Sequence, residues 1–145
     1  VGQALSLRRK SVSGASVLVL GVAFKPGIDD MRNSPAIRVV ELLANRGAAV
    51  RYHDPYVPDF RVGGDVFQRE VLELESVPLT PKELSSADCV VIVTGHPNID
   101  YSLVIDKADL VVDTCNATAA SPLHLKAEHL QKIVRLGAPM PVAVT

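Results

Sequence analysis

The sequence predicts an α/β domain built on a doubly wound, mainly parallel sheet with helices on both faces. Three observations predict it: short β-branched apolar runs recur along the chain, helix-patterned stretches separate them, and a long connection between the first two runs carries a helix of its own. Residues 1–10 read as the tail of a helix. Residues 15–22 (ASVLVLGV) form a continuous apolar run ending near Gly21, as expected of a strand buried on both faces. After a polar loop, Ser34 suits the N-cap of a helix and Pro35 its first position. Ala36, Val39, Val40, Leu43 and Ala44 recur at helical spacing and define the face that meets the sheet. Gly47 ends this helix where left-handed geometry is needed. Residues 48–53 form the second strand, stopped by Asp54-Pro55, and the β-α-β crossover is expected to be right-handed.

Downstream, residues 55–69 contain Pro and Gly without a period and read as a loop. Residues 70–74 read as a short strand, 81–87 as a short helix and 88–94 (DCVVIVT) as a buried strand. Tyr101–Lys107 reads as helix, residues 110–113 as strand, and 121–131 as a helix with Pro122 near its start. Residues 133–136 add a last strand before Gly137.

Composition narrows the functions. With 145 residues, 48% hydrophobic and 21% charged, the chain fits one domain with a real core and excludes a disordered tail. Fifteen Lys+Arg against sixteen Asp+Glu leave a formal charge of -1, without the basic excess that nucleic-acid backbones demand. Aromatics at 4% and no Trp argue against base-stacking platforms. No apolar run approaches the roughly 18–20 residues of a membrane helix. The start lacks Met and an apolar core with a cleavage site, so it reads as a cut from something longer rather than a secretory signal. Cys89 and Cys115 are too few for a disulfide framework, and a reducing cytoplasm is the default. The Asn116-Ala117-Thr118 sequon carries no weight without a secretory route.

Ligands of open α/β sheets collect beyond the carboxyl ends of the strands, which points to residues 23–33, 54–59, 95–100 and 114–120. The first loop is the most informative. Lys25 and Arg32 would reinforce the positive end of the following helix toward a phosphate. Pro26 stiffens the loop and Gly27 lets backbone approach a ligand. The same cations and Asp29 and Asp30 are equally compatible with surface ion pairs. The G-x-G-x-x-G dinucleotide fingerprint and the Walker phosphate loop are both absent. Asp54 stands where a ribose-binding carboxylate would, but 33 positions after Gly21, so a turn-initiating role is favoured. Cys89 reads as an inert core residue; Cys115 reads as exposed at a strand end, with no nearby His in sequence to make it a nucleophile. His53 and His96 sit at strand ends facing one ligand edge. His124 and His129, five apart, share no helix face, which argues against a metal pair and favours the surface. No catalytic constellation emerges: the chain reads as half of a site.

The stretch LGVAFKPGIDDMRNS at residues 20–34, followed by Pro35, closely resembles the start of the C-terminal domain of the UDP-glucose/GDP-mannose dehydrogenase family. The resemblance continues through Gly47 and the Tyr52-His53-Asp54-Pro55-Tyr56-Val57-Pro58 turn, and resumes at residues 88–94, His96, Tyr101 and residues 110–118. The Asp-Pro-Tyr-x-Pro turn, Gly95-His96 and VVDT-x-NAT look most like the UDP-N-acetylglucosamine, or UDP-N-acetyl-hexosamine, 6-dehydrogenase branch. The resemblance implies that residues 1–14 are the end of a central connecting helix and linker, and that residues 15–145 are a Rossmann-like domain that holds the nucleotide part of a UDP-sugar. It implies that an N-terminal Rossmann domain holds NAD and that a central segment supplies the catalytic Cys and Lys, both outside this chain. Two NAD+ are then reduced as the sugar C6 alcohol becomes a carboxylate, within a homo-oligomer. Residue by residue, Phe24 and Lys25 match the pair that contacts the nucleotide sugar, and Arg32 matches an arginine that reaches NAD in the other domain. Cys115 stands where many relatives place a substrate-contacting Arg, which removes a forked, fixed charge. Residues 119–128 also depart from the family pattern. Two other readings are a free-standing Rossmann-like module that senses a nucleotide without catalysis, and a structural dimerisation domain.

Overall fold

A computed structural model describes residues 1–66, 70–122 and 125–141. A five-stranded parallel sheet runs through its centre. Helix α1 (Gly2–Leu7) precedes β1 (Ser16–Leu20), α2 (Pro35–Asn45), β2 (Ala49–His53), β3 (Asp59–Val62) and β4 (Leu72–Glu75). Then follow α3 (Pro81–Ser86), β5 (Cys89–Ile92), α4 (Tyr101–Lys107), β6 (Val111–Asp113), a 3-10 turn (Ala117–Ala120), α5 (Ala127–Leu130) and β7 (Ile133–Arg135). The central sheet has the order β2-β1-β5-β6-β7. The chain leaves β1 for β2 on one side and later reaches β5 on the other, so the strand order reverses between β1 and β5. That reversal opens a crevice at the carboxyl ends, the place where such sheets bind ligands.

Alternation along each strand builds two cores. Val17, Val19, Cys89, Val91, Val112 and Val134 face one layer with Leu5 of α1 and Ala36, Val40 and Leu43 of α2. Leu18, Leu20, Val90, Ile92, Val111 and Ile133 face the other, with Leu84 of α3 and Tyr101, Val104 and Ile105 of α4. A strand apolar at every position is therefore the signature of a sheet covered on both sides. The doubly wound, Rossmann-like expectation holds.

Local signals also hold. The Ser34 Oγ accepts the Ala36 N–H at 3.2 Å with Pro35 directly after it, and Gly47 has φ +86° just beyond the helix. The N-terminal segment is tied to the domain: Ala4 and Leu5 are buried in the first core, and Lys10 Nζ meets Asp88 Oδ1 at 2.5 Å.

Three expectations need correction. Part of the stretch 55–69 read as loop is β3, which pairs antiparallel with β4 in a separate two-stranded sheet. Only two of its side chains, Phe60 and Val62, pack into the core, too short an alternation to stand out beside Pro58, Gly63 and Gly64. Within the stretch 121–131 expected to be helical, the described helix is Ala127–Leu130, because the backbone at Lys126 is extended and the helix starts only after it. His129, expected on the surface, is buried and accepts the Lys126 N–H on Nδ1 at 3.1 Å, closing the first turn of α5. Residues 67–69, the end of the expected loop, and His124 lie outside the described residues. No described helix is long and apolar enough to cross a membrane.

Candidate functional site

The carboxyl ends of β1 and β5 meet at Gly21, whose φ is +77°. A Cβ there would lie 2.1 Å from the Thr94 carbonyl oxygen, so only glycine lets the two strand ends close on each other. The loop that leaves β1 is then held from three sides. Ser34 Oγ donates to the Val22 carbonyl at 2.5 Å, and Thr94 Oγ1 donates to the Ala23 carbonyl at 2.6 Å. Asp54, at the end of β2, accepts the Val22 and Ala23 N–H groups on Oδ2 at 2.8 and 3.2 Å. Its Oδ1 accepts the Tyr56 and Val57 N–H groups at 2.8 and 3.2 Å, the turn that Asp54-Pro55 predicted.

The same Oδ2 lies 2.8 Å from Nε2 of His96, and neither side chain is exposed. His96 Nδ1 accepts the Gly27 N–H at 2.9 Å. An N–H can only donate, so Nδ1 is the bare nitrogen and Nε2 carries the proton toward Asp54. Burial pushes the Asp54 carboxyl up, but the N–H groups of Val22 and Tyr56 and the His96 ring outweigh it and leave the carboxyl below its ordinary value. Tyr56 packs on the His96 ring at 4.8 Å between centroids, and Tyr101 Oη donates to the His96 carbonyl at 2.9 Å.

Beside this buried group lies a cleft of about 500 Å3. Pro26 of the β1 loop, the segment from Gly95 to Ser102 and the turn from Cys115 to Pro122 all contribute to its walls. Asp113 builds the far wall. Buried at the end of β6, it accepts the Cys115 and Ala117 N–H groups on Oδ1 and the Thr118 N–H and Oγ1–H on Oδ2, winding the 3-10 turn. Gly95 keeps the walls together: a Cβ there would lie 3.2 Å from Ala117 Cβ and 3.3 Å from Cys115 Sγ.

The residues singled out in the sequence divide around this cleft. Cys115 is on its wall; Phe24 and Lys25 stand immediately before Pro26 in the loop, both exposed, with Lys25 Nζ 5.8 Å from the Phe24 ring centroid. Arg32 is not among the lining residues. Its side chain is 87% exposed and forked onto Asp30, with Nη2 to Oδ2 at 2.9 Å. His53 and His96 do not share a ligand edge: His53 Nδ1 is 2.7 Å from the Val77 carbonyl, while His96 is buried at the rim. Cys89 is the inert core thiol expected, pushed up to about 12 by burial. The Cys115 thiol is also pushed up, by desolvation and then by Asp113, so it is no ready nucleophile. No group of three or more potential metal ligands occurs among the described residues.

The turn after β1 does not fit a dinucleotide. The Val22 and Ala23 N–H groups, which would have to meet a pyrophosphate there, already hold the Asp54 carboxylate, and Gly21 is packed against Thr94.

Residues 18–120 match the model of the UDP-glucose/GDP-mannose dehydrogenase family, UDP binding domain. The chain is 38% identical over 95 residues to the UDP-N-acetyl-D-mannosamine dehydrogenase of Pyrococcus horikoshii, a stretch covering 66% of this chain and 19% of that protein. It is 30% identical over 141 residues to the UDP-glucose 6-dehydrogenase of Rickettsia bellii, covering 92% of this chain and 29% of that protein. The solved structure of the UDP-D-ManNAc dehydrogenase from Pyrococcus horikoshii superposes with a TM-score of 0.65 at 27% identity, over 93% of this chain and 28% of that one. The chain thus spans less than a third of the length of these relatives. With the crevice at the strand reversal and a family match across it, the chain belongs to the UDP-glucose/GDP-mannose dehydrogenase family, in the part described as its UDP binding domain.

Proposed function

We propose that this chain, over residues 15–145, is the UDP-sugar-binding domain of an NAD-dependent nucleotide-sugar 6-dehydrogenase, acting on UDP-N-acetylglucosamine or a related UDP-hexose. The observation that carries the reading is the cleft at the carboxyl ends of β5 and β6, walled on one side by the loop that bears Phe24 and Lys25. Phe24 offers an exposed ring face and Lys25 a mobile point charge, a pair suited to a base or sugar face and a diphosphate. Cys115, neutral at physiological pH, leaves that wall without the guanidinium many relatives carry, so the phosphate charge falls more heavily on Lys25.

The oxidation takes four electrons from the C6 alcohol to the carboxylate, and two NAD+, bound in turn, would each accept one hydride. The family resemblance assigns NAD to an N-terminal Rossmann domain of the same enzyme, and the occupation of the turn after β1 by Asp54 supports that reading. On this reading Arg32, exposed and resting on Asp30, would reach NAD across the domain boundary. The catalytic Cys and Lys are assigned to the segment between the two domains.

Calorimetric titration of the chain with UDP and UDP-N-acetylglucosamine tests the binding role. Measurable heat from wild type, weakened about tenfold in Lys25→Ala, is expected from losing one charge-assisted contact. In the full-length enzyme Lys25→Ala raises KM for the nucleotide sugar and Arg32→Ala raises KM for NAD+. Absence of heat at millimolar ligand, or unchanged constants in both variants, sinks the assignment.

A further inference from the structure

His96 is among the buried titratable side chains of the rim that the family assignment does not use. We propose that His96 is a positioning residue: it fixes the loop bearing Phe24 and Lys25 against the cleft by accepting the Gly27 N–H, and Asp54 sets the tautomer that lets it do so.

Geometry alone builds the case. The loop closes at its base, where the Phe24 N–H donates to the Asp30 carbonyl at 2.7 Å. Its apex is Gly27, with φ +77° and nothing within 4 Å of the position a Cβ would take. The apex is open on that side; beyond it Ile28 packs on the first core, and the backbone of Gly27 itself is tied down by the 2.9 Å bond to His96 Nδ1. His96 in turn has no freedom. Its ring is fully buried, Nε2 is on Asp54, Tyr56 covers its face, and the Tyr101 hydroxyl holds its carbonyl. A single imidazole thus bridges the ends of β2 and β5 to the tip of the β1 loop. Pro26, next to that tip, forms part of the cleft wall, so fixing Gly27 fixes the wall and the Lys25 that precedes it. Preorganising such a loop removes the ordering cost that a ligand would otherwise meet.

The inference rests on the reading that Phe24 and Lys25 grip the nucleotide sugar, and the experiment separates the two. The chain is labelled with 15N, and imidazole shifts, Gly27 amide exchange and UDP affinity are measured on wild type, His96→Asn, His96→Gln and Lys25→Ala. Asn places an amide oxygen near the Nδ1 position and keeps an acceptor for Gly27. Gln reaches the Nε2 position and keeps a donor for Asp54, but leaves Gly27 unpaired. Wild type is expected to carry its proton on Nε2. His96→Asn keeps Gly27 protected and UDP affinity within about threefold, whereas His96→Gln loses about tenfold in each.

A proton on Nδ1 in wild type overturns the proposal, and this arm does not depend on any variant folding. So does a Gly27 amide that exchanges alike in the Asn and Gln variants. If UDP binds and Lys25→Ala weakens it while His96→Gln does not, the positioning role falls alone. If wild type does not bind UDP, or Lys25→Ala binds it equally well, the reading of the site falls and takes the positioning role with it. Gly27 exchange in His96→Gln then shows whether the bond serves only the fold.

Discussion

Two carboxylates meet nitrogen bases at the rim of this sheet, and they behave in opposite ways. Asp54 and His96 are wholly buried, and the carboxylate also gathers N–H groups from the β1 loop and from its own turn. Asp30 and Arg32 lie two residues apart in the exposed part of the same loop, and the guanidinium is almost entirely in water. Arg32 hydrogen bonds hold the Asp30 carboxyl down to about 2, yet solvent screens the pair and it adds little to the fold. The Asp54 pair cannot be broken cheaply, because either partner left alone is an uncompensated polar group in the interior. One pair fixes where the loop sits; the other is left on its surface, where a partner can reach it.

Breaking the closed side should have the largest effect. Gly21→Ala puts a methyl 2.1 Å from the Thr94 carbonyl at a positive φ, and is expected to cost about 4 kcal/mol or more in urea unfolding. A loss under about 1 kcal/mol would mean that the β1 and β5 ends separate easily. Asp54→Asn comes next, at about 3 kcal/mol, since the N–H groups of Val22 and Ala23 lose a charged acceptor. Its pH dependence has a definite sign. The folded carboxyl lies below its ordinary 3.8, so its contribution is complete above that value and is lost as pH falls through the lower, folded value. Acid unfolding of wild type should therefore steepen in that window, and Asp54→Asn should lack that part of the slope.

How legible these two pairs were in the sequence differs for the same reason that their energetics differ. The strands were legible because every residue of β1 and β5 is apolar except at the ends, and α2 because Ser34, Pro35 and a periodic face agree. Asp54 was legible as a turn, since its own turn lies within three residues of it. Its bond to His96 spans 42 positions, and no local pattern encodes such a distance. His96 was visible as a strand-end histidine, but pairing it with His53 on one ligand edge failed because His53 turns to the Val77 carbonyl. The Gly95-His96-Pro97 sequence was the signal that could have found the bridge: glycine lets the turn pack against Cys115 and Ala117, and buries the ring that follows. Asp113 gave no such hint; the donors that surround it come from a turn whose residues have no helical period. Lys25 and Arg32 stood out because exposed charges in a short loop need no tertiary contact to be noticed.

The smallest expected effect sharpens the contrast most. Asp30→Asn removes the charge that faces Arg32 but leaves an amide oxygen near the Arg32 N–H, so the loop keeps a local turn. The urea midpoint and the Gly27 amide exchange should stay where they are in wild type. The Asp30 carboxyl is ionised well below neutrality, so the wild-type ion pair is intact across the physiological range and its loss is not masked by titration. Arg32 then has one anionic competitor fewer, and KM for NAD+ in the full-length enzyme should fall slightly rather than rise, opposite to Arg32→Ala. A shifted urea midpoint would place Asp30 with Asp54 among the groups that hold the loop. A KM raised as in Arg32→Ala would instead mean that Asp30 aims the guanidinium, and that the exposed pair is as preorganised as the buried one.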